Sequence, residues 1–378
     1  MAKNEENKLP EIANIPLPAR NTLLTEPGPF LEWLRDVSNK TIYTEDFHIL
    51  QPWAVAAIAA ISRKELSDAP SLQFDYQSST SRFAYSMGLE NLVEGEPPSG
   101  YHDEDRTVKV RRFTNFASIE ALASDISNIV VSEPENGSYF DPSETRRSIY
   151  YVMVELMRNT LQHSYDDLGG VIVAQSMYKG DGYEENPCIQ IAVADCGVGI
   201  YESLSQMHDD VTSPEVALEK SILPYHSGAF PNWQRGTSQN AGLGLFFASE
   251  IAKLTGGRML ISSRNASLSI EGDKTGGSNN SINLHEYQYD GTIVVFEILK
   301  RGIADHDAVI RKVHERAKSM NASLTYDSYL KYSGSTKAAW ELMVNGIVED
   351  THTAEEYAFK HVIKRIKNSI PITFNFLN

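Results

Sequence analysis

The sequence predicts an α+β fold, an α/β sandwich in which a layer of helices packs on a β-sheet. Two observations predict it. A long amphipathic helix is indicated over about 142–164, where apolar residues recur with helical spacing. Strand-like apolar runs follow it, with a glycine-flanked helix among them: "GGVIVAQSMY", "CIQIAVADCG", "GLGLFFASEIAKLTGG" and "GTIVVFEIL". Helices and strands that each carry an apolar face bury those faces by packing as layers.

Two parts are predicted before this region. Residues 1–40 form an N-terminal arm, polar and then proline-rich, with a short helix at "PFLEWLRDVS". Residues 41–135 are predicted to form a small α/β domain, because helical and alternating patterns succeed each other there. Its helices are predicted at "WAVAAIAAISRKEL", "SSTSRFAYSMGL" and "SIEALASDISNIV", and its strands at "SLQFDYQ" and "TVKVRRF".

The long helix has a well-marked start. The segment "SEPENGSYF" interrupts the preceding pattern, and Asp141 can cap the helix that follows. Pro142 suits the first helical position, and Glu144 stands where the acid of a capping box belongs. The helix should therefore run from about 142 to 164, and it begins a second predicted domain, 140–302.

The rest of the chain is predicted in less detail. The stretch 201–240 is long and polar, with one short helix at "SPEVALEKSI". Further on, "RMLISSRNASLSI" is predicted as a strand or hairpin and "EGDKTGGSNNS" as a loop. Residues 303–378 are predicted to be an α-rich C-terminal segment that ends in a strand, "PITFNFL".

Composition restricts the class of partner. Of 378 residues, 41% are hydrophobic, and the formal net charge is −16. This charge argues against binding to nucleic acid or to anionic membranes, because both need clustered Lys and Arg. The most apolar run, "AVAAIAAI", is far shorter than the roughly 20 residues of a membrane span. "MAKNEENKLPEI" does not resemble a signal peptide, and Cys188 and Cys196 fit no metal or disulfide pattern, so a cytoplasmic location is expected.

Polar side chains concentrate on one arc of the 142–164 helix. With about 100° between successive residues, the arc holds Glu155, Arg158, Asn159, Gln162 and His163. The side chains expected in the core lie mostly opposite: Ile149, Met153, Leu156, Met157 and Thr160. A solvated face is the ordinary explanation of such an arc. Three further motifs favour a binding site instead.

The first motif is "VADCGVGI", where an apolar strand ends in Asp195 and continues through Gly197 and Gly199. A carboxylate there can accept a hydrogen bond from an exocyclic amine, and glycines let the backbone approach a flat ring. The second is "NAGLGLFF", in which glycines enter a helix whose free N–H groups suit phosphate. The third is "GTIVVFEIL", with Thr292 at the start of a strand. Each motif alone is also typical of an ordinary turn or strand.

Together, the order and spacing of these motifs resemble the ATP-binding domain of the GHKL superfamily, which includes the sensor histidine kinases and the anti-sigma-factor serine kinases. The resemblance covers about 142–302. It consists of Glu-x-x-x-Asn on a helix, Asp-x-Gly-x-Gly after a strand, an insert, Gly-x-Gly before a helix, and Gly-Thr on a strand. It implies the Bergerat fold of these histidine kinase-like ATPases, with helices on a mixed β-sheet. "VELMRNTLQHS" is most similar to the anti-sigma-factor type.

The resemblance implies a role for each matching residue. Asn159 would coordinate Mg²⁺, and Glu155 would be the general base. Asp195 would accept from the adenine amine, with Thr292 in support. Gly197 and Gly199 would shape the adenine side. Gly242, Leu243 and Gly244 would offer backbone N–H groups to the phosphates, and Asn240 would begin this glycine box of the nucleotide site. The insert, about 201–240, would be a lid that closes over ATP.

Some positions depart from the family pattern. Asn240 stands where the glycine box often begins with Gly, which puts the hinging of the lid in question. Gln162 stands where histidine kinases often have Lys or Arg, which puts one phosphate contact in question. His163 and Ser164 match the His-Ser ending of many members, and a structural capping role is favoured over catalysis.

Three functions fit the resemblance. The first is a Mg-ATP-dependent ATPase whose nucleotide state switches its conformation or dimerisation. The second is a serine/threonine kinase that acts on a partner or on its own N-terminal domain, since 41–90 weakly resembles STAS-like domains, with Ser78, Ser79 and Thr80 opening a helix. The third is a non-catalytic scaffold, although adenine binding alone would need neither Glu155 nor Asn159. The expected partners are ATP and an unidentified signalling protein, and a homodimer is compatible.

Overall fold

A computed structural model of the chain describes part of its length. The described residues are 27–31, 50–65, 79–89, 106–131, 142–177, 188–206, 208–224, 226, 244–273, 277–299, 303 and 305–322. Several predicted segments lie wholly or largely outside them: the arm helix at 29–38, the strand at 71–77, residues 227–243 of the lid, and the C-terminal segment beyond 322.

The fold is mixed α+β, and its described strands form one open antiparallel sheet. The strands are Thr107–Phe113 (β1), Gly170–Met177 (β2), Cys188–Asp195 (β3), Arg258–Gly272 (β4) and Ser278–Leu299 (β5), in the order β1-β2-β3-β5-β4. Every described pairing is antiparallel, whereas the resemblance implied a mixed sheet. All eight residues of β2 and all eight of β3 are buried, so both faces of the sheet are covered at its centre.

The helices within the described residues follow the predicted order. They are Pro52–Glu65 (α1), Ser79–Ser86 (α2), Ile119–Val130 (α3), Pro142–His163 (α4), Gly199–Ser205 (α5), Pro214–Ser221 (α6), Gly244–Thr255 (α7) and His306–Ala322 (α8). The short helix α5 was not predicted. Within this part of the chain, none of the helices combines the length and the apolar character that a bilayer crossing would require.

One face of the sheet is covered by α3, α4, α7 and α8. Their apolar side chains form one core with the strands, and Met153, Phe247 and Phe296 are fully buried in it. Several polar contacts join α8 to its neighbours, and two of them involve Glu144 and Glu250. Glu144 of α4 accepts a hydrogen bond from the His306 N–H at 2.6 Å, and Arg316 pairs with the buried Glu250 of α7 at 2.9 Å. Glu144 therefore contacts the start of α8 through its side chain.

The opposite face of the sheet is covered by α1 and α2. Side chains of α1, with Ala84 and Met87 from the α2 region, share a second core with β2, β3 and β5. Gln190 of β3 anchors α1 from inside this layer, because its Oε1 accepts from the Trp53 N–H at 3.2 Å. Its Nε2 donates to the buried Glu297 at 2.7 Å. A buried amide in the sheet thus satisfies a free N–H at the start of the covering helix.

This arrangement changes the interpretation of the predicted 41–135 domain. The strand β1, which was assigned to that domain, pairs with β2 and forms an edge of the described sheet. The helix α3 packs in the same core as α4. Within the described residues, the N-terminal region has no sheet of its own. The composition break at 132–140 predicts a domain boundary, but residues on both sides of it pack in one core.

The prediction of a loop over "EGDKTGGSNNS" is wrong in its extent, because the loop is shorter than predicted. Glu271 and Gly272 still belong to β4, and 278–281 already belong to β5, paired down to Gly272↔Ser278. The two strands form a long hairpin with an irregularity at Arg264, whose φ is +58°. Gly, Asn and Ser favour loops by composition, but pairing with the opposite strand satisfies the backbone here and overrides that preference.

Trp53 provides a test of whether α1 belongs to the same cooperative unit as the sheet. The side chain is fully buried and packs edge-on against Phe30, with ring centroids 4.7 Å apart. Trp53→Ala should lower the free energy of unfolding by about 3–5 kcal/mol through loss of buried apolar contact and the cavity left behind. Urea unfolding followed by circular dichroism measures this.

The matched control is Leu284→Ala, because Leu284 is 59% exposed on the hairpin. It should change the free energy of unfolding by no more than about 0.5 kcal/mol. A Trp53→Ala chain as stable as this control would show that α1 does not stabilise the sheet.

Candidate functional site

The polar arc of α4 lies where the sequence predicted it. Its five polar side chains are partly exposed: Glu155, Arg158, Asn159, Gln162 and His163. The five predicted core side chains are buried: Ile149, Met153, Leu156, Met157 and Thr160. The division between core face and polar face is therefore confirmed. Sequence periodicity could find it because side chains three and four positions apart share a face of a helix.

Glu155 lies in a largely desolvated position on this arc. Its side chain is 22% exposed, and the Arg158 guanidinium lies 3.7 Å from its Oε1. Burial raises the pKa of the Glu155 carboxyl above its ordinary value, and the positive charge of Arg158 opposes that shift. Burial also raises the pKa of the Tyr151 hydroxyl, and the nearby Glu155 adds to the effect. Glu155 is thus a more basic carboxylate than one in water.

Asn159 lies against the first residue of α7. An ideal Cβ placed on Gly244 would lie 2.6 Å from the Asn159 Nδ2 and 3.1 Å from its Oδ1. A side chain at position 244 would require the Asn159 amide to move, so glycine suits this close approach. The first turn of any helix has N–H groups without partners inside the helix, and the helix dipole is positive there. An amide and an anion-favouring helix end thus meet near the C-terminal end of α4.

Asp195 ends β3 and is 3% exposed. Its Oδ1 accepts a hydrogen bond from the Gly197 N–H at 2.9 Å, which fixes the carboxylate at the start of the turn. Thr292 of β5 pairs directly opposite Asp195 in the sheet. The Tyr289 hydroxyl donates to the Asp195 carbonyl oxygen at 2.9 Å. The structure therefore brings together Asp195 and Thr292, the two residues for which the resemblance implied a joint role.

The Asp-x-Gly-x-Gly turn is joined to the C-terminal end of α4. The Val198 N–H donates to the Ser164 carbonyl oxygen at 2.8 Å. A Cβ on Gly197 would overlap that same carbonyl, so the contact requires glycine. Gly199 has a φ of +82°, which also favours glycine. Ser164 contacts the turn through its backbone carbonyl, and the capping role predicted for His163 and Ser164 stays a prediction.

Ser164 directly follows α4 and stands five residues after Asn159, so roughly 7.5 Å along the helix axis separates them. The polar arc and the Asp195 turn are consequently joined through the C-terminal end of α4. Glu155, Asn159 and Gly244 belong to the first part of the candidate site, and the second part holds Asp195, Gly197, Gly199 and Thr292. The remaining predicted site residues, Asn240, Gly242 and Leu243, lie outside the described residues.

Several residues that position the Asp195 end were missed by the sequence analysis. The Ser263 hydroxyl of β4 donates to the Gly291 carbonyl at 2.9 Å, accepts from the Ile200 N–H at 2.9 Å, and lies 3.4 Å from the Thr292 hydroxyl. Asp166 accepts from the Cys196 N–H at 3.2 Å. A serine inside a strand and an aspartate in a short loop carry no distinguishing sequence pattern, so only the fold identifies them.

The region predicted as a lid is partly helical. The helix α6 begins as predicted, with the Ser213 side chain accepting from the Val216 N–H. Arg264 connects α5 to the hairpin, since it pairs with Glu202 at 2.9 Å and with Asp290 at 3.1 Å. The first part of the insert thus contacts β4, and 227–243 lie outside the described residues.

The oxygen donor on the polar arc would suit a hard cation that a bound phosphate compound also helps to coordinate. The described residues contain no group of three or more His, Cys, Asp or Glu that could hold a metal alone. Mg²⁺ keeps several waters and commonly takes one or two protein oxygens together with phosphate oxygens. The Asn159 amide oxygen on the polar arc fits that mode.

No known family model matches the chain, and no curated protein matches it significantly. Membership of the GHKL superfamily therefore stays a prediction from the sequence motifs. The geometry of α4, the Asp195 turn and the start of α7 is independent of that resemblance.

Gly197→Ala tests the junction between the turn and α4. The added methyl group would overlap the Ser164 carbonyl, so either the turn or the helix end must move. The free energy of unfolding should fall by about 1–3 kcal/mol, the usual cost of overpacking. Thermal unfolding followed by circular dichroism measures the change.

Gly28→Ala is the control for this substitution, because nothing lies within 4 Å of a Cβ placed there. It should leave the midpoint of unfolding almost unchanged. Equal midpoints for the two variants would contradict a close contact at Gly197.

Proposed function

We propose that the chain binds Mg-ATP in a site of the GHKL type and hydrolyses it, and that the nucleotide state switches its conformation or its dimerisation. One observation supports this most strongly. The turn that carries the buried Asp195 is hydrogen-bonded to the end of α4 through the Val198 N–H and the Ser164 carbonyl. The same helix carries Glu155 and Asn159 on its polar arc.

The Asp195 end suits an adenine ring. A carboxylate oxygen accepts more than one hydrogen bond, so the contact with the Gly197 N–H is compatible with a further bond from an exocyclic amine. Thr292, directly opposite in the sheet, adds a hydroxyl that can donate or accept. A Cβ on Gly197 would meet the Ser164 carbonyl and one on Gly199 the Ser263 hydroxyl, so these glycines let the turn beside Asp195 pack closely against the end of α4 and against β4.

The other end suits phosphates and their metal ion. Asn159 would hold Mg²⁺ through its amide oxygen, and the ion would neutralise phosphate charge when bound. Gly244 brings the start of α7 against that amide, where free N–H groups and the helix dipole favour anions. The glycine box residues Asn240, Gly242 and Leu243 directly precede Gly244 in the chain and would extend this anion site.

Glu155 is suited to the role of general base. It lies one helical turn from Asn159, so both side chains can reach the same end of a bound nucleotide. Desolvation raises its pKa, which makes its carboxylate a stronger proton acceptor. A site that only bound ATP would gain nothing from a desolvated carboxylate near phosphates, so this position favours turnover over a non-catalytic scaffold.

Phosphate transfer to a serine or threonine is the alternative use of the same base. Of the described N-terminal helices, α1 and α2 pack on the face of the sheet opposite to α4, whereas α3 packs on the same face as α4. The sheet therefore separates α2 from the polar arc. Within this alternative, a separate protein partner, or a second copy of the chain, is favoured as the acceptor over the chain's own α2.

Glu155→Ala and Asn159→Ala should separate chemistry from binding. Glu155→Ala should keep Mg-ATP affinity, because an anion near phosphates does not aid binding, but lose about 10²–10⁴-fold in turnover. Asn159→Ala should lose both turnover and the Mg²⁺ dependence of binding. Release of γ-labelled phosphate measures turnover, and calorimetry measures affinity.

The same labelling experiment distinguishes the two reactions. Free labelled phosphate indicates hydrolysis, whereas label retained on protein indicates a kinase. Wild-type turnover in the Glu155→Ala variant would remove Glu155 from the chemistry and favour a scaffold.

Asp195→Asn tests the adenine end separately. An amide can present its NH₂ group to the adenine amine, so two donors would face each other and ATP affinity should fall at least about tenfold. GTP, which offers a carbonyl at that place, should bind the wild-type chain poorly. Calorimetric titration of both nucleotides measures this, and unchanged ATP affinity in the variant would exclude Asp195 from the site.

A further inference from the structure

Arg158 is shared between two carboxylates. Its Nη2 lies 2.9 Å from the Glu120 Oε1 on α3, and its Nη1 lies 3.7 Å from the Glu155 Oε1 on its own helix. The shorter contact is the hydrogen-bonded one. Glu120 is 64% exposed, whereas Glu155 is 22% exposed. The guanidinium is therefore hydrogen-bonded to the surface carboxylate and makes only a longer ion pair with the desolvated one.

The other charged groups near this part of α4 have their own partners or are weak donors. Tyr151, one turn before Glu155, is a neutral phenol whose ring packs on Phe247. On the adjacent α7, Glu250 pairs with Lys253 at 2.7 Å and with Arg316 of α8. Among the described residues, Arg158 is the cation that contacts Glu155, and Glu120 is the carboxylate that competes for it.

We propose that Glu120 and Arg158 are positioning residues for the proposed base, with Glu120 holding the Arg158 guanidinium away from Glu155 so that the Glu155 carboxylate stays available to the reacting water or hydroxyl. This inference rests on the proposed function. It assigns a role in the reaction to a surface residue that no sequence motif identified.

The physical reason is a competition for one guanidinium. Arg has donors in a planar fork that can bind a carboxylate through two parallel hydrogen bonds. If Glu120 is removed, the same fork can turn to Glu155 and bind it fully. A carboxylate bound in that way is fixed in orientation and is a poorer proton acceptor. The nucleotide-binding residues are not touched, so substrate binding stays the same.

The effect should be modest and should depend on Arg158. An exposed ion pair is weak, so Glu120→Gln should lower kcat by about two- to fivefold with KM for ATP unchanged. In an Arg158→Gln background no guanidinium is present to capture Glu155. There Glu120→Gln should have no effect on kcat, and the double variant should turn over like Arg158→Gln alone. Such non-additivity is what a double-mutant cycle detects.

The experiment measures kcat and KM for phosphate release from Mg-ATP by the full chain, as wild type, the two single variants and the double variant. Glu271→Gln is the matched control, because Glu271 is a similarly exposed carboxylate, 54%, paired with Arg258 at 2.9 Å on the hairpin. It should leave both constants unchanged. Calorimetry with Mg-ATP checks that binding is equal in every variant.

Loss of kcat in Glu120→Gln that disappears in the double variant would support the inference. An unchanged kcat, an equal loss in both backgrounds, or an equal loss in Glu271→Gln would overturn it while the proposed function stands. A wild-type chain that neither binds Mg-ATP nor releases phosphate would overturn the proposed function, and the role of Arg158 with it.

Discussion

The hydrogen bond from the Val198 N–H to the Ser164 carbonyl joins the two halves of the candidate site. Ser164 follows the last residue of α4, and Val198 belongs to the turn after β3, so this bond fixes the end of a helix against the end of a strand. This hydrogen bond requires glycine at position 197, because a Cβ there would overlap the same carbonyl. The distance between Asp195 and the polar arc of α4 depends on this contact.

The sheet beneath the site is covered on both faces, and this explains its composition. β2 and β3 are almost continuously apolar because α3 and α4 pack on one side and α1 on the other. One of the polar exceptions, Gln190 of β3, binds the start of α1 and the buried Glu297. Burying these groups would be costly without such partners. The N-terminal region thereby contributes to the rigidity of the strand that ends in Asp195.

Much of this could be predicted from the sequence where a pattern is periodic or a residue type is sterically required. The apolar spacing of α4, Pro142 at its start, and the strands at 170–177 and 188–195 are visible in that way. Two kinds of feature could not be predicted from the sequence. The pairing of β1 with β2 is a long-range contact, and the composition break before α4 suggested a domain boundary instead. The contacts of Ser263 and Asp166 depend on the three-dimensional arrangement of loops, since neither residue stands in a distinctive motif.

The central claim is that the Asp195 turn and the polar arc of α4 bind the two ends of one nucleotide. A crystal structure of the chain with Mg²⁺ and a non-hydrolysable ATP analogue tests this most directly. The account predicts the adenine amine within hydrogen-bonding distance of the Asp195 carboxylate, and the metal ion coordinated by the Asn159 amide oxygen. Density for the analogue elsewhere on the chain, or an adenine ring that does not contact Asp195, would contradict it.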